Sequence, residues 1–210
     1  MKWKKLTVGP VQENTYIIYN NQNEAIVIDP GSEGRRIIQA LESLKVRPLA
    51  VLLTHAHFDH IGAVDDVREK YNIPLYVHKK EADWLSDIKK NGSKYFGQSI
   101  TAKPASHILT NQDNTLKIGS FSFEVLTTPG HSPGSVSYYH KSSGAVFSGD
   151  ALFAGSIGRT DLHGGDQDVL INSIHEKLLN LPEETVVLSG HGPETTVGME
   201  MDSNPFLSGF

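Results

Sequence analysis

The feature that most constrains this chain is a cluster of side chains at the exit of an apolar segment, where Thr54-His55-Ala56-His57-Phe58-Asp59-His60 follows directly on Leu49-Ala50-Val51-Leu52-Leu53. The apolar part reads as a buried strand over residues 49–54. Four groups able to bind a metal then lie within six residues. Alternate residues of an extended segment share a face, so His55 and His57 converge on one point. Asp59 and His60, where Ile61-Gly62 opens a helix, turn toward a second. The fold therefore has to place this strand end on an open rim with room for two adjoining sites. With zero cysteines in 210 residues, those sites are built of nitrogen and oxygen. Disulfide frameworks, cysteine nucleophiles and iron–sulfur clusters are excluded.

Around this cluster the chain alternates groups of strands with groups of helices. Residues 3–8, 15–19 and 24–29 are short, rich in β-branched and aromatic residues, and separated by Gly-Pro and Asn-rich turns, which predicts an antiparallel meander. Ser32 is expected to cap a helix carrying Ile37, Ile38, Leu41 and Leu44 that stops before Pro48. Residues 59–71 and 80–85 read as helices, and 91–104 as a long loop with solvated lysines. Strands return at 115–118, 121–126, 136–140 and 145–148. A helix with Val169, Leu170, Ile174, Leu178 and Leu181 on one face closes at Pro182, before a last strand at 185–189. Two strand-then-helix halves with no linker between them predict a single domain over residues 1–210 of the α/β class. The expected architecture is a four-layer αββα sandwich, two sheets face to face with helices outside.

Three further polar residues end expected strands, each after a glycine: Gly130-His131, Gly149-Asp150 and Gly190-His191. Taken singly, each fits an ordinary turn residue; taken with residues 55–60, they belong to one rim. The other histidines, His78, His107, His140, His163 and His175, have no ligand context and are expected to be structural or exposed. Gly130-His131-Ser132-Pro133-Gly134 formally matches a nucleophile elbow, with Ser132, Asp150 and His191 in serine-hydrolase order. An elbow must lead into a helix, however, and residues 135–140 alternate like a strand. A net charge of −5, with 19 dispersed Lys and Arg, offers no nucleic-acid footprint. No apolar run reaches the ~7–15 residues of a signal peptide core or the ~18 of a membrane span, so a cytoplasmic protein without a membrane partner is expected.

The cluster at residues 54–60, with Gly-His131, Gly-Asp150 and Gly-His191 downstream, resembles the metallo-β-lactamase superfamily over nearly the whole chain. Order and spacing are similar to its glyoxalase II-like branch, the hydroxyacylglutathione hydrolases. The resemblance implies a dinuclear centre in which His55, His57 and His131 hold one metal, Asp59, His60 and His191 the other, and Asp150 bridges. It implies two divalent cations per chain, zinc in the first place, with iron or manganese as alternatives. It also implies hydrolysis of a small acyl thioester, S-lactoylglutathione or an ester of another small thiol, with Asp59 orienting the attacking water. Asp29, in Asp29-Pro30-Gly31, would stand behind a ligand histidine or merely start its turn. Arg159 and Asp161, in Gly158-Arg159-Thr160-Asp161, would place a charge pair beside the substrate or behind a ligand, or form a surface ion pair. That segment, with Ile174-His175-Glu176-Lys177, also resembles the mononuclear-iron persulfide dioxygenases, the competing reading; a non-catalytic metal-dependent sensor is a minor one. Glyoxalase II proper carries a basic C-terminal extension that holds glutathione, whereas this sequence ends at Ser203-Asn204-Pro205-Phe206-Leu207-Ser208-Gly209-Phe210, so a high KM for a glutathione ester is expected. Oligomeric state leaves no signal in the sequence.

Overall fold

A computed structural model of the chain describes residues 1–207. Strands β1 (Lys2–Val8), β2 (Glu13–Tyr19) and β3 (Glu24–Ile28) form the antiparallel meander. Helix α1 (Gly34–Leu44) returns the chain so that β4 (Arg47–Leu52) pairs with β3 in parallel. After α2 (Phe58–Ile61) and α3 (Val64–Tyr71), strands β5 (Leu75–His78) and β6 (His107–Leu109) extend the same sheet in parallel, completing its six strands in sequence order. The second sheet begins with the antiparallel strands β7 (Thr115–Ile118), β8 (Phe121–Thr127), β9 (Val136–His140) and β10 (Ala145–Gly149). A small hairpin, β11 (Leu152–Phe153) with β12 (Ser156–Ile157), follows. Helix α4 (Gln167–Ser173), continued by a π-helical turn over Ile174–Leu178, brings β13 (Val186–Ser189) parallel to β10. The short β14 (Thr195–Thr196) and α5 (Val197–Ser203) finish the described chain.

Period-two alternation assigns each strand residue to a layer. In β2, Ile18 points between the sheets and Ile17 toward the helices; in β4, Ala50 and Leu52 point inward and Val51 outward; in β10, Phe147 points inward and Val146 outward. The central layer thus joins Ile18, Ile26, Ile28 and Leu52 to Phe121, Phe123, Tyr138, Phe147 and Leu188. The outer face of the first sheet packs on Ile37 and Leu41 of α1 and Val64 and Val67 of α3. The outer face of the second packs on Leu170, Ile171, Ile174 and Leu178. Each such side chain, fully buried, is worth about 1.5–3 kcal/mol relative to exposure. This is the expected αββα sandwich.

Several local expectations are corrected. Ser32 is not the cap: the Asp-Pro-Gly turn runs one residue further, and α1 starts after Glu33, which sits at φ 55. Its carboxylate is occupied elsewhere, accepting the Gly9 N–H at 2.8 Å and pairing with Arg36 at 3.1 Å. The expected helix 59–71 is broken at Gly62-Ala63 into α2 and α3. The expected helix 80–85 is two 3-10 turns, Lys79–Glu81 and Trp84–Ser86. Within the loop 91–104, Ser93–Phe96 forms a further 3-10 turn, and Lys103 pairs with Glu69.

A seam joins the two ends of the described chain. Asn14 N–H donates to the Gly190 carbonyl at 2.7 Å, and the Asn14 amide donates to the carbonyls of Ser189 and Gly192. The Tyr16 hydroxyl donates to the Ser189 carbonyl at 2.8 Å. Glu13 bridges antiparallel to His191. Strand β2 of one sheet is thereby fastened to the loop after β13 of the other.

Candidate metal centre

The rim group begins where β4 runs out. Asp29, at φ 47 after β3, accepts the Thr54 N–H at 2.8 Å on one oxygen and the Thr54 hydroxyl at 2.5 Å on the other. With its proton engaged there, the Thr54 oxygen can only accept from His55 Nδ1, 3.1 Å away. His131 Nδ1 faces the Arg159 carbonyl at 2.7 Å, an acceptor that requires the proton on that nitrogen. Both rings therefore turn a bare Nε2 inward, and these two nitrogens lie 3.2 Å apart. His57 Nδ1 is 2.8 Å from His131 Nε2, and its Nε2 is buried with no hydrogen-bond partner. Burial pushes all three imidazoles below their ordinary range, His57 to about 3. Neutral imidazole is the form that binds metal. Converging lone pairs repel one another unless a cation stands among them, so the donor set fits a metal ion.

The second group adjoins the first. His60 Nδ1 meets Asp29 at 3.0 Å, while its Nε2, without a hydrogen-bond partner, is 3.4 Å from Asp150 Oδ1 and 3.8 Å from Asp59. His191 Nε2 is 3.2 Å from Asp59 and 3.5 Å from Asp150. Asp150 Oδ2 reaches back to His131 Nε2 at 3.6 Å, so this carboxylate stands between the groups. Burial pushes His60 down, but Asp150, Asp59 and Asp29 outweigh it and hold the ring well above its ordinary range. Burial likewise pushes the Asp150 carboxyl up, and His60, His191 and His131 around it hold it well below the usual carboxylate range. The donor atoms of His55, His57 and His131 all lie within 4.8 Å of one another, as do those of Asp59, His60 and His191. A glycine makes this closeness possible: a Cβ at Gly190 would lie 2.2 Å from Asp150 Oδ1 and 2.7 Å from His60 Cε1.

A cavity of about 370 Å³ opens on these groups. Asp59, His131, Asp150 and His191 form its floor, and Val11, Phe58, Phe96, Phe153, Ile157 and Leu162 its apolar walls. Phe58 and Phe96 pack ring to ring at 4.8 Å. Arg159 lines the mouth and pairs through two contacts, 2.7 and 2.8 Å, with Asp161.

A model of the metallo-beta-lactamase superfamily matches residues 8–191. The chain belongs to the metallo-β-lactamase superfamily. It is 57% identical to the probable metallo-hydrolase YqgX of Bacillus subtilis over 100% of this chain and 99% of that one. It is 36% identical to the hydroxyacylglutathione hydrolase GloC of Haemophilus influenzae over 97% and 96%. Among solved structures, the BLEG-1 B3 metallo-beta-lactamase superposes with a TM-score of 0.97 at 56% identity, covering 99% of this chain and 100% of that one. A di-iron-bound form of TTHA1623 superposes with a TM-score of 0.86 at 41% identity over 97% and 100%. Membership, with relatives named metallo-hydrolase and hydroxyacylglutathione hydrolase, supports a metal-dependent hydrolase.

Within the superfamily fold, the structure brings all seven sequence-nominated side chains to one rim. Of the two alternatives for Asp29, the structure places its carboxylate behind a histidine, 3.0 Å from His60 Nδ1, with Thr54 as its other partner. Arg159 supports His131 through its backbone, while its side chain forms a half-exposed ion pair at the mouth. His78 meets Asn111, His107 stacks on Tyr76 and His140 bonds Ser143, while His163 packs near Trp84. Missed in the sequence were Glu13, buried 3.9 Å from His60, and Trp84, 5.6 Å from His57. Neither stands in a recognisable spacing. The elbow reading fails: Ser132 is followed by strand β9, and its hydroxyl donates to Glu81 at 2.5 Å. Ser132→Ala is expected to keep activity within about tenfold at saturating metal, measured as kcat; a dead variant with intact metal content would restore serine catalysis.

Proposed function

We propose that the chain hydrolyses small acyl thioesters at a dinuclear centre in which His55, His57 and His131 hold one divalent ion and Asp59, His60 and His191 the other. Asp150 serves both. Convergence of these seven side chains beneath an apolar-walled cavity carries the reading, and the 36% identity to a hydroxyacylglutathione hydrolase supports the substrate class. Nitrogen and oxygen donors suit zinc, iron and manganese alike; zinc is the first choice, and the di-iron relative keeps iron open. When bound, such ions supply electrophilic polarisation of a carbonyl and a water of lowered pKa.

The chain's own residues do the rest. Asp59, on the cavity floor, orients the attacking water by accepting its hydrogen bond. Phe58, Phe96, Phe153 and Ile157 hold the acyl group and keep bulk water out. A thiolate leaves without a dedicated proton donor, so a site whose histidines are committed as ligands suffices for a thioester. A second reading, opening of a β-lactam amide, is favoured by the 56% identity to a B3 metallo-beta-lactamase.

The test is a paired assay of S-lactoylglutathione and a chromogenic cephalosporin, with elemental analysis of the same preparation. Chelation is expected to abolish thioester hydrolysis and Zn²⁺ to restore it. Turnover of the cephalosporin alone would transfer the assignment to the amide. A single bound iron with oxygen consumption on glutathione persulfide would transfer it to the dioxygenase branch.

A further inference from the structure

One buried carboxylate stands outside the donor groups and touches the loops that carry them. Glu81 ends the 3-10 turn after β5 and is fully buried. One of its oxygens accepts the Ala56 N–H at 2.6 Å. The other accepts the Ser132 hydroxyl at 2.5 Å and the Gly134 N–H at 2.7 Å. Ala56 lies between His55 and His57, and Ser132 follows His131. We infer that Glu81 is a positioning residue that locks the His55–His57 loop to the His131 loop and so sets the spacing of the three-histidine group.

The chemistry of the contact singles out a carboxylate. Three donors converge on it, and a carboxylate is the side chain that accepts on both atoms and donates on neither. A glutamine there would turn an amide N–H toward the Ala56 N–H or the Gly134 N–H, and one pair of donors would clash. The fit is also steric: a Cβ at Gly134 would lie 2.9 Å from Glu81 Cγ, so the His131 loop closes onto the carboxylate only with glycine at that position. Another tie between the segments, Val136 N–H to the Thr54 carbonyl at 2.8 Å, lies deeper in the sheets and leaves the loop tips free. His131 Nε2 sits 2.8 Å from His57 and 3.2 Å from His55, across 74 and 76 residues of sequence, so a small shift between the loops opens the whole group.

The inference concerns metal binding and is independent of the substrate. Its test is a Zn²⁺ titration of the metal-stripped full chain against a chromophoric chelator, for the wild type, Glu81→Gln and Glu81→Asp. The same substitutions are repeated in a His191→Ala background, where the three-histidine group reports alone. Glu81→Gln is expected to weaken that group by about 10- to 100-fold, the range for residues that orient a ligand, and to leave the Asp59, His60 and His191 step within about threefold of wild type. Glu81→Asp, which keeps the acceptors and loses reach, is expected to fall between. Equal affinities in wild type and Glu81→Gln, or equal loss at both steps, would reduce Glu81 to a structural residue and overturn the inference. Should Glu81→Gln fail to fold, Ser132→Ala removes one of the three donors and is expected to weaken the same step by about 2- to 10-fold; an unchanged step would overturn the inference as well.

Discussion

Asp150→Ala is expected to lower kcat/KM for the thioester by at least ~1,000-fold, a loss of ~4 kcal/mol of transition-state stabilisation. Asp150 faces both groups: it lies 3.4 Å from His60, 3.6 Å from His131 and 3.5 Å from His191. Its removal withdraws the anion that balances positive charge between them, so metal is lost from both positions rather than one. Elemental analysis of the purified variant measures that loss beside the kinetics. Asp150→Asn, which keeps the volume and one acceptor but not the charge, is expected to fall near alanine. An asparagine variant with wild-type metal content and rate would show that the carboxylate's charge does not matter here. His191→Ala, at the more exposed edge, is expected to empty chiefly the second position.

His57→Ala is expected to lose at least ~100-fold in kcat, because the first position keeps two nitrogens of three and can no longer hold its share of the developing charge. The comparison with Ser132→Ala is decisive. The residues stand on neighbouring loops, so a general loosening of the rim would damage both variants alike, whereas a metal-dependent reaction makes His57 essential and Ser132 dispensable. Thermal unfolding of the two variants, read alongside the rates, separates folding damage from loss of a ligand. Equal activity in both would contradict the proposed chemistry.

The centre was legible in the sequence to the extent that its side chains are contiguous or marked. His55, His57, Asp59 and His60 fall within six residues; alternation pairs His55 with His57, and the helix that opens there turns Asp59 and His60 toward a second point. His131, Asp150 and His191 are each preceded by glycine, and at Gly190 the close approach of Asp150 and His60 explains why. Glu81 gave no signal for the opposite reason: it falls in the stretch 80–85 expected to be helical, with no motif around it, and only tertiary packing turns the glutamate inward. The sandwich followed from period-two strands, while β11, β12 and β14 span two residues each, too short for any periodicity to show. The apolar walls of the cavity come from loops, a 3-10 turn, the start of α2 and the small β11–β12 hairpin, distant parts of the chain that no spacing rule links.

The seam between β2 and the loop after β13 bears on the order in which the molecule comes together. Its hydrogen bonds join residues 173 to 178 apart in sequence, the costliest kind of contact to close from an open chain. During synthesis from the N-terminus, Asn14 and Tyr16 emerge early and wait for Ser189 and Gly192. His55, His57, Asp59 and His60 are likewise exposed to the cell's metal pool well before His191 exists. The nascent chain can offer a loose, incomplete chelate, but the full set of donors closes only when almost all of the described sequence is out. The closing of the donor set is thus written into the topology: completion of the centre coincides with completion of the fold.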